Sequence, residues 1–212
     1  MTDIKLLRYT SLAVTIDLLS RKQITLLDPA NWDDRNDAYF MSVYQQRSRI
    51  SSLLALCFAE DYETYHHWKV FSHGPSGCCL EFDKKRLVES ISAVAGTRHG
   101  AVEYKAIDAL RNLKALPVEQ LPFLKRYPYR DEKEYRFVYE ADQPNLTSIG
   151  FDINLSWIKR ITLSPWMHKS LEASIKKTLK LIDGCQNIKI YRSTLLENER
   201  WKALANGAVA TP

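Results

Sequence analysis

The chain of 212 residues lacks long hydrophobic runs, and no stretch approaches the roughly 18 consecutive apolar residues of a membrane-spanning helix. Its first residues carry no cationic segment leading into an apolar core, so we expect no secretory leader. Glycine is scarce, with seven residues, and the sequence has neither the G-x-G-x-x-G turn of Rossmann units nor the lysine loop of NTPases. These absences argue against a membrane protein and against the two commonest phosphate-binding motifs.

Cysteine is also sparse, and the positions of its four residues exclude the usual functions of paired thiols. No C-x-x-C pair is present, so neither a zinc ribbon nor a redox dithiol is encoded. No cysteine has a cationic setting that would lower its pKa, and no G-x-S-x-G elbow offers a serine nucleophile. We therefore expect structural thiols, no metal site and a reducing, cytoplasmic compartment. The thiols are those of Cys57, Cys78, Cys79 and Cys185.

Lysine and arginine outnumber aspartate and glutamate by 30 to 25, which gives a formal charge of +5. The basic residues are spread along the chain without a run of five, which excludes a basic tail. This surplus favours an anionic partner such as nucleic acid or a phosphorylated cofactor, and it equally suits an ordinary solvated surface. With 45% hydrophobic and 26% charged residues, the composition is typical of a globular domain.

Periodic patterns predict short strands interleaved with helices. Several strands follow one another through short connections, which favours an α+β fold over a regular parallel sheet. We expect one compact domain over residues 1–200, with a mixed, mostly antiparallel sheet flanked by helices, and a helix end with a loose tail over 201–212. Strands are predicted at 6–9, 24–27, 51–59, 78–82, 101–104, 132–140, 157–163 and 188–191, helices at 12–21, after 83, at 107–116, at 171–182 and around 201, and a loop at 31–37.

The predicted strand 132–140 is the strongest candidate for a functional site. Side chains alternate across a strand, so its aromatic residues would face a core while Glu134 and Arg136 share the other face. Arg136 can then hold Glu134 ionised and oriented, as suits the stabilisation of a cationic transition state. The alternative is the solvent face of an edge strand that carries an ordinary ion pair.

Two other segments have chemical potential. The acidic loop 28–37 offers ligands for Mg²⁺ or Ca²⁺, but its spacing does not fit an EF-hand, and such residues equally form turns and helix caps. The segment 62–82 is dense in aromatic and histidine side chains, including His73, beside a glycine turn. It suits the stacking of a planar ring such as nicotinamide or a base, and a core aromatic cluster is the alternative.

Six short segments follow one another along the chain, namely Leu6–Leu12, Trp32–Asp37, Cys57–Glu60, Trp68–Asp83, Val102–Tyr104 and Glu132–Arg136. Their order resembles the large bacterial and phage family known as domain of unknown function 2971. In that family they correspond, in the same order, to the opening strand, the F-N-D-P-F loop, the C-F-S-E strand, the Trp-to-Gly segment, and the V-x-Y and E-x-E-[WY]-R motifs. The match runs over about residues 5–195, and the order of the motifs is more specific than any one motif. The family's His and Tyr after the tryptophan fall on Val70 and Phe71, and the proline of the loop falls on Arg35. We therefore assign no role to that histidine.

This family in turn resembles a distant variant of the ADP-ribosyltransferase fold, in which an early strand touches NAD and a late strand carries a glutamate. The resemblance implies an NAD-dependent mono-ADP-ribosyltransferase-like toxin, or an enzyme of phage defence or counter-defence, that modifies a nucleic acid or a host or phage protein. Glu134 takes the late-strand place, with Arg136 as its partner, where a carboxylate would stabilise positive charge on the ribose. Arg8 takes the early-strand place as a cofactor contact. The other implied cofactor-binding residues are Tyr9, Asp34 and Trp68.

Two other classes of function stay open at this point. A non-enzymatic module that binds a host or phage protein would carry Glu134 and Arg136 on an open face, with an exposed apolar patch elsewhere. A metal-dependent nuclease would need its carboxylates to converge around a cation. Those carboxylates are Asp33, Asp34, Asp37, Glu81 and Asp83.

Overall fold

The computed structural model describes residues 5–60, 62–72, 74–111 and 115–208. These residues form strands and helices that are connected by loops and short 3₁₀ turns. The strands are β1 (Lys5–Ser11), β2 (Gln23–Leu27), β3 (Ser52–Ala59), β4 (Gly77–Asp83), β5 (Thr97–Ala101), β6 (Glu103–Lys105), β7 (Leu124–Arg126), β8 (Glu134–Ala141), β9 (Ser148–Asp152), β10 (Ile158–Leu163) and β11 (Lys189–Arg192). The helices are α1 (Leu12–Arg21), α2 (Arg35–Arg47), α3 (Tyr65–Phe71), α4 (Lys84–Ser92), α5 (Ile107–Arg111), α6 (Lys169–Leu181) and α7 (Glu199–Ala208). Across these described ranges, no helix combines the length and the apolar character that crossing a bilayer requires.

Nine of the strands form one mixed sheet. Its order is β11-β10-β4-β1-β3-β2-β9, and β8 pairs with both β3 and β5. Strands β10 and β11 are parallel, and the other pairings among the described strands of this sheet are antiparallel. A separate parallel pair is formed by β6 and β7. The predicted α+β class, with a mixed and mostly antiparallel sheet flanked by helices, is confirmed.

The sheet is discontinuous beside its central strand, β3. This strand pairs with β8 over all of its 8 residues. In the described structure, it meets β1 only where Leu7 pairs with Ala59, and it meets β2 only where Leu27 pairs with Ala55. We call the stretch of β3 beside Cys57, where no further pairing of the described residues of β1 and β3 is present, the gap between β1 and β3.

The two faces of the sheet bury different side chains. The main core lies on one face, where Leu54 and Phe58 of β3 pack with apolar residues of α1, α4 and α6. On the opposite face, α2 packs over Leu53 and Val138, while Trp68 of α3 packs in a smaller group. Glu134 and Arg136 of β8 alternate onto this second face.

The four cysteines are free thiols. Cys78, Cys79 and Cys185 are buried, and burial raises the pKa of each, that of Cys78 to about 11. These three residues are structural, as predicted. Cys57 is only partly buried and lies at the gap beside β3.

The structure differs from the sequence-based prediction at the start of α2. Residues 31–37 were expected to be a loop, but α2 begins at Arg35, because the carboxylate of Asp34 accepts hydrogen bonds from the first backbone amides of the helix. Strands β7 and β9, most of strand β5, and helix α3 were not predicted. The sequence of β5, Thr-Arg-His-Gly-Ala, has no alternating apolar pattern, which is why it escaped detection.

Other boundaries also differ. The strand predicted from Glu132 begins two residues later, because Lys133 adopts a left-handed backbone with φ of 46° and ends a 3₁₀ turn. The strand predicted at 101–104 is divided between the end of β5 and the start of β6. The helix predicted at 107–116 is present as α5, and its residues 112–114 lie outside the described residues, as do 209–212 of the predicted tail.

Candidate active site

Five charged side chains form a buried group, the charge cluster, where α2, β7 and β8 meet. Their side chains are between 0% and 8% exposed. Two cations and three carboxylates give the group a formal charge of 2 − 3 = −1. Buried charges are tolerated only when oppositely charged partners surround them. The members are Asp37 of α2, Lys125 of β7, Glu132 of the 3₁₀ turn before β8, and Glu134 and Arg136 of β8.

Arg136 is the centre of the charge cluster and is fully buried. Its Nε donates to Glu134 Oε1 at 2.8 Å, and its Nη atoms donate to the two carboxylate oxygens of Asp37 at 3.0 and 2.7 Å. This bidentate contact fixes the guanidinium and joins α2 to β8. The predicted ion pair with Glu134 is therefore present. The edge-strand alternative is wrong, because β8 lies between β3 and β5.

Lys125 supplies the second cation of the cluster. Its Nζ lies 2.6 Å from Glu132 Oε2, 3.3 Å from Glu134 Oε2 and 3.6 Å from Asp37 Oδ2. Burial alone lowers the pKa of Lys125, but the carboxylates, with Glu134 first, outweigh burial and raise it above the ordinary value. Lys125 therefore stays charged and forms ion pairs with all three carboxylates of the cluster.

Glu134 keeps its negative charge although it is buried. Burial raises its pKa, but Arg136 and Lys125 outweigh this effect and lower the pKa to about 2. Burial raises the pKa of the other two carboxylates, Asp37 and Glu132, more than their cationic neighbours lower it. A proton taken up by the cluster therefore goes to one of those two groups, and Glu134 stays a carboxylate.

The main chain around Glu134 is held on both sides. Its amide donates to the Tyr104 hydroxyl at 2.8 Å, and its carbonyl accepts from the amide of Val102 at 2.8 Å. The carbonyl of the preceding residue, Lys133, accepts from the Glu60 amide at 2.8 Å. These contacts place the carboxylate on a rigid element, as positioned catalytic groups require.

Arg8 of β1 lies in the gap between β1 and β3. By strand alternation it starts from the face opposite Glu134, since its neighbour Leu7 shares a face with Ala59 and Glu134. Its Nη1 donates to the carbonyl of Cys57 at 3.0 Å. Burial lowers the pKa of Arg8, and the neighbouring Cys57 and Glu134 side chains act in the opposite direction. Within the described part of the chain, no carboxylate forms an ion pair with this half-buried guanidinium, so Arg8 is available to bind an anion.

Cys57 lies between Arg8 and Glu134, the two main predicted site residues. Its carbonyl accepts from Arg8, and its side chain lies on the same face of the sheet as Glu134, close enough to influence the pKa of that carboxylate. Its side chain is partly exposed, and its register partner on β8 is Arg136. Burial, followed by the charge of Glu134, raises the pKa of the thiol well above its ordinary value. Cys57 is therefore not a nucleophile at this position.

Trp32 covers the guanidinium of Arg136, whose Cζ lies 4.7 Å from the ring centroid. Trp32 follows the 3₁₀ turn Pro29–Asn31 and packs against the core beneath α2, and its side chain is partly exposed. In the sequence, Trp32 is only a position in the acidic loop and in the family motif. The structure makes it part of the candidate site.

Tyr9 and Trp68, two of the predicted cofactor-binding residues, lie in a small core. Their rings meet edge to face with centroids 5.2 Å apart, and Tyr9 also stacks on His67 at 5.3 Å. Trp68 is fully buried, and its Nε1 donates to Glu63 at 2.7 Å. This part of the aromatic segment forms the core cluster that was the alternative, while His73 lies outside the described residues. A contact of Tyr9 or Trp68 with a cofactor stays a prediction.

Asp34 lies at the N-terminus of α2, where its Oδ1 accepts from the amides of Asn36 at 3.0 Å and Asp37 at 3.4 Å. Together with Asp37, Lys105 and Lys125 it lines a cavity of about 40 Å³. Ligand-binding pockets are about 300–1,000 Å³. The cavity therefore has room for ordered water and not for a dinucleotide.

A groove of about 640 Å³ lies elsewhere, beside the ends of β9 and β10 and the segment after α6. Its walls include Lys22, Ile153 and Gly184, and no predicted site residue lines it. Of the predicted site residues, the smaller cavity includes Asp34 alone. Neither of these two cavities is lined by Arg8, Cys57 or Glu134.

The structure places the residues of both alternatives differently from what those alternatives expected. The carboxylates of the nuclease hypothesis have separate partners, since Asp83 caps α4 and Glu81 binds Arg160 at 2.7 Å. Among the residues that the structure describes, no group of three His, Cys, Asp or Glu side chains is placed to hold a metal ion. The open face expected of a non-enzymatic module is wrong, because Glu134 and Arg136 are buried.

Besides Trp32, sequence reasoning missed other contributors to this site. Lys125 and the pairing of Asp37 with Arg136 depend on chain folding, since Asp37 and Arg136 are 99 positions apart. Asp37 did carry a signal, because it occupies the acidic end of the family's loop motif. Cys57 had its position within a predicted buried strand and its place at the start of the family's C-F-S-E motif, and neither distinguishes a site residue from a core residue.

Comparison with known proteins finds likenesses of structure only. No protein-family model and no curated protein matches the chain. The structure is similar to that of Thermus sp. 2.9 DarT in complex with NAD+, with a TM-score of 0.46, 11% identity, and coverage of 91% of this chain and 96% of that one. The corresponding values for the complex of Thermus sp. 2.9 DarT with ADP-ribosylated ssDNA are 0.44, 13%, 91% and 95%. Similarity at this level assigns no activity and no residue to this chain.

Proposed function

We propose that the protein is an NAD-dependent mono-ADP-ribosyltransferase that uses Glu134 as its key carboxylate. The observation that carries the proposal is the meeting of two groups at Cys57. Arg8, a half-buried guanidinium without an acid partner in the described structure, binds its carbonyl, and the ionised Glu134 lies beside its side chain on the same face of the sheet. An anion-binding group beside a fixed carboxylate is what a phosphorylated sugar with a developing positive charge requires.

The proposed transfer of ADP-ribose from NAD requires one contribution from Glu134 and another from Arg8. The bond between C1′ of the ribose and the nicotinamide nitrogen breaks, and its electron pair leaves with nicotinamide. A lone pair of the acceptor forms the new bond to C1′, and the acceptor gives up its proton to solvent. Positive charge builds on the ribose as the bond breaks, so the Glu134 carboxylate stabilises the transition state. Arg8 would hold the diphosphate.

Arg136 and Lys125 act through Glu134 in this scheme. They keep its carboxylate ionised at neutral pH and fix its direction on β8. Asp37 in turn fixes Arg136. We regard Arg136 as a positioning residue, because its side chain is fully buried and cannot contact a substrate in the gap.

The biological role and the acceptor belong to the same proposal. The family resemblance suggests a toxin or an enzyme of phage defence. The DarT structures to which the chain is similar contain NAD+ or ADP-ribosylated ssDNA, and a net charge of +5 suits a nucleic acid as the acceptor. We propose a nucleic acid first and a protein second.

Transfer of labelled ADP-ribose from NAD tests the proposal. The wild-type protein should label single-stranded DNA, RNA or a protein of a bacterial lysate. The Glu134→Gln variant should lose about 10²- to 10³-fold in rate, the usual effect of removing an electrostatic stabiliser of the transition state. Arg8→Met should raise the KM for NAD.

A matched control is Glu172→Gln, which changes a carboxylate of α6 paired with Lys176 on the helix surface and should leave the rate unchanged. Absence of labelling by the wild-type protein with every acceptor, together with absence of free nicotinamide, would contradict the proposal. Equal labelling by wild type and the Glu134 variant would contradict the role of Glu134.

A further inference from the structure

We propose that Trp32 is the surface on which the nicotinamide ring of NAD stacks, an inference that rests on the proposed function. The indole lies on Arg136, with 4.7 Å between its ring centroid and Cζ. Arg136 binds Glu134 through Nε at 2.8 Å. The ring is therefore one side chain away from the carboxylate that would face the ribose of the same nucleotide.

Trp32 is on the accessible side of the charge cluster. Arg136 beneath it is fully buried, whereas Trp32 and Cys57 are partly exposed. Cys57 and Arg136 are register partners, so the partly exposed Cys57 lies next to the strand position that the indole covers. A ligand that approaches Glu134 from the gap over Cys57 would meet Trp32 next to it.

The charge of the cluster suits this ligand. The nicotinamide ring of NAD carries a positive charge, and indole faces attract cations. The charge of Arg136 is offset by Asp37 and Glu134 at 2.7–3.0 Å, so the cluster as a whole is net negative. Nicotinamide becomes neutral when it leaves, which weakens its contact with the indole and favours release.

Other aromatic side chains nearby are already engaged. Tyr9 and Trp68 pack against each other in the small core, Tyr104 binds the amide of Glu134, and Tyr129 lies beneath Lys125. Among the described residues, no second aromatic ring stacks on Trp32. Of the aromatic residues around the charge cluster, Trp32 is therefore the best candidate for the stacking role that the sequence suggested for the segment 62–82.

Calorimetric binding of two ligands tests the inference. The ligands are carba-NAD, whose nicotinamide bond resists cleavage, and ADP-ribose, which lacks the ring. Trp32→Leu should weaken carba-NAD binding about 10- to 30-fold and leave ADP-ribose binding within twofold of wild type. Trp32→Phe should retain most of the affinity because it keeps an aromatic face. Trp201→Leu, which changes a 76% exposed tryptophan of α7, is the matched control and should change neither affinity.

The outcomes separate this inference from the proposed function. If the wild-type protein binds neither ligand, the proposed function fails and this inference fails with it. If the wild type binds both ligands, and Trp32→Leu weakens both equally or neither, the stacking role is wrong while the proposed function stands. If Trp32→Leu does not fold, Trp32→Met preserves the volume without an aromatic face and should show the same selective loss.

Discussion

The carboxylate of Glu134 shows how a buried acid is kept charged in this protein. Its side chain is 7% exposed, and burial alone would favour the protonated form. Two cations reverse that preference. Arg136 contributes the larger effect and Lys125 the next. A neutral Glu134 could not stabilise a cationic sugar, so the proposed chemistry depends on these two neighbours.

A pH-dependent stability difference between wild type and Glu134→Gln follows from this arrangement. The pKa of Glu134 is about 2 in the folded protein and about 4.5 when unperturbed, so on acidification the unfolded chain binds its proton first. The charge of Glu134 therefore contributes stability above about pH 4.5, which declines by about 1.4 kcal/mol per pH unit below it, until pH 2. Asp37 and Glu132, with raised pKa values, act with the opposite sign in both proteins.

Urea unfolding of both proteins at pH 7, 5 and 3.5 measures the difference. We expect the free energies of unfolding to differ equally at pH 7 and 5 and to approach each other at pH 3.5. A difference that stays constant over the whole range would show that Glu134 contributes through packing and not through charge.

At the scale of single residues, part of the site could be predicted from the sequence. Two residues two positions apart on a strand share a face, and this rule predicted the pairing of Glu134 with Arg136. Burial of the pair could not be predicted, because the same pattern fits a solvent face. Asp37 and Trp32 reach Arg136, and Lys125 reaches Glu134, only through tertiary packing, which a short-range sequence pattern does not encode.

At the scale of the elements, α2 shows how a loop motif becomes a helix start. The acidic residues at 33–37 suggested metal ligands or caps, and Asp34 caps the helix. The first turn of α2 then carries Asp37 into the charge cluster. The sequence of α2 is mostly polar, so its periodicity gave no helix signal, and the contacts of Met41 and Tyr44 with β3 stabilise it.

Substitution of Asp34 separates its capping role from a role in cofactor binding. Asp34→Ala should lower the free energy of unfolding by about 1 kcal/mol, and Asp34→Ser should restore it, because serine also caps helices. If Asp34 also contacts NAD, the serine variant will have normal stability and weaker NAD binding. Equal stabilities for the alanine and serine variants, measured by urea unfolding, would contradict the capping role.

At the scale of the whole molecule, the sheet order determines where the site lies. Interleaved strands and helices with short connections were enough to predict an α+β domain with a mixed sheet. They could not predict that β3 pairs fully with β8 and at single residues with β1 and β2. That gap brings Arg8 and Glu134 to Cys57 from two different strands, and only the three-dimensional structure shows it.

The extent of the folded domain is a further prediction at this scale. Trp201 and Leu204 of α7 are 76% and 66% exposed, and the ion pairs of Lys202 with Glu197 and Glu199 lie on the surface. A chain that ends at residue 200 should therefore unfold within about 2 °C of the full-length protein and retain its activity. A loss of more than about 5 °C in Tm, or of folding, would show that α7 belongs to the domain.

The most direct test of the central claim is the release of nicotinamide from NAD by the purified protein at pH 7. We expect the wild type to release nicotinamide, Glu134→Gln to do so at least about 100-fold more slowly, and Arg8→Met to need a higher NAD concentration for the same rate. No release by the folded wild-type protein, with or without DNA, RNA or lysate protein, would contradict an NAD site at Cys57. Equal release by wild type and Glu134→Gln would contradict the assignment of the catalytic carboxylate.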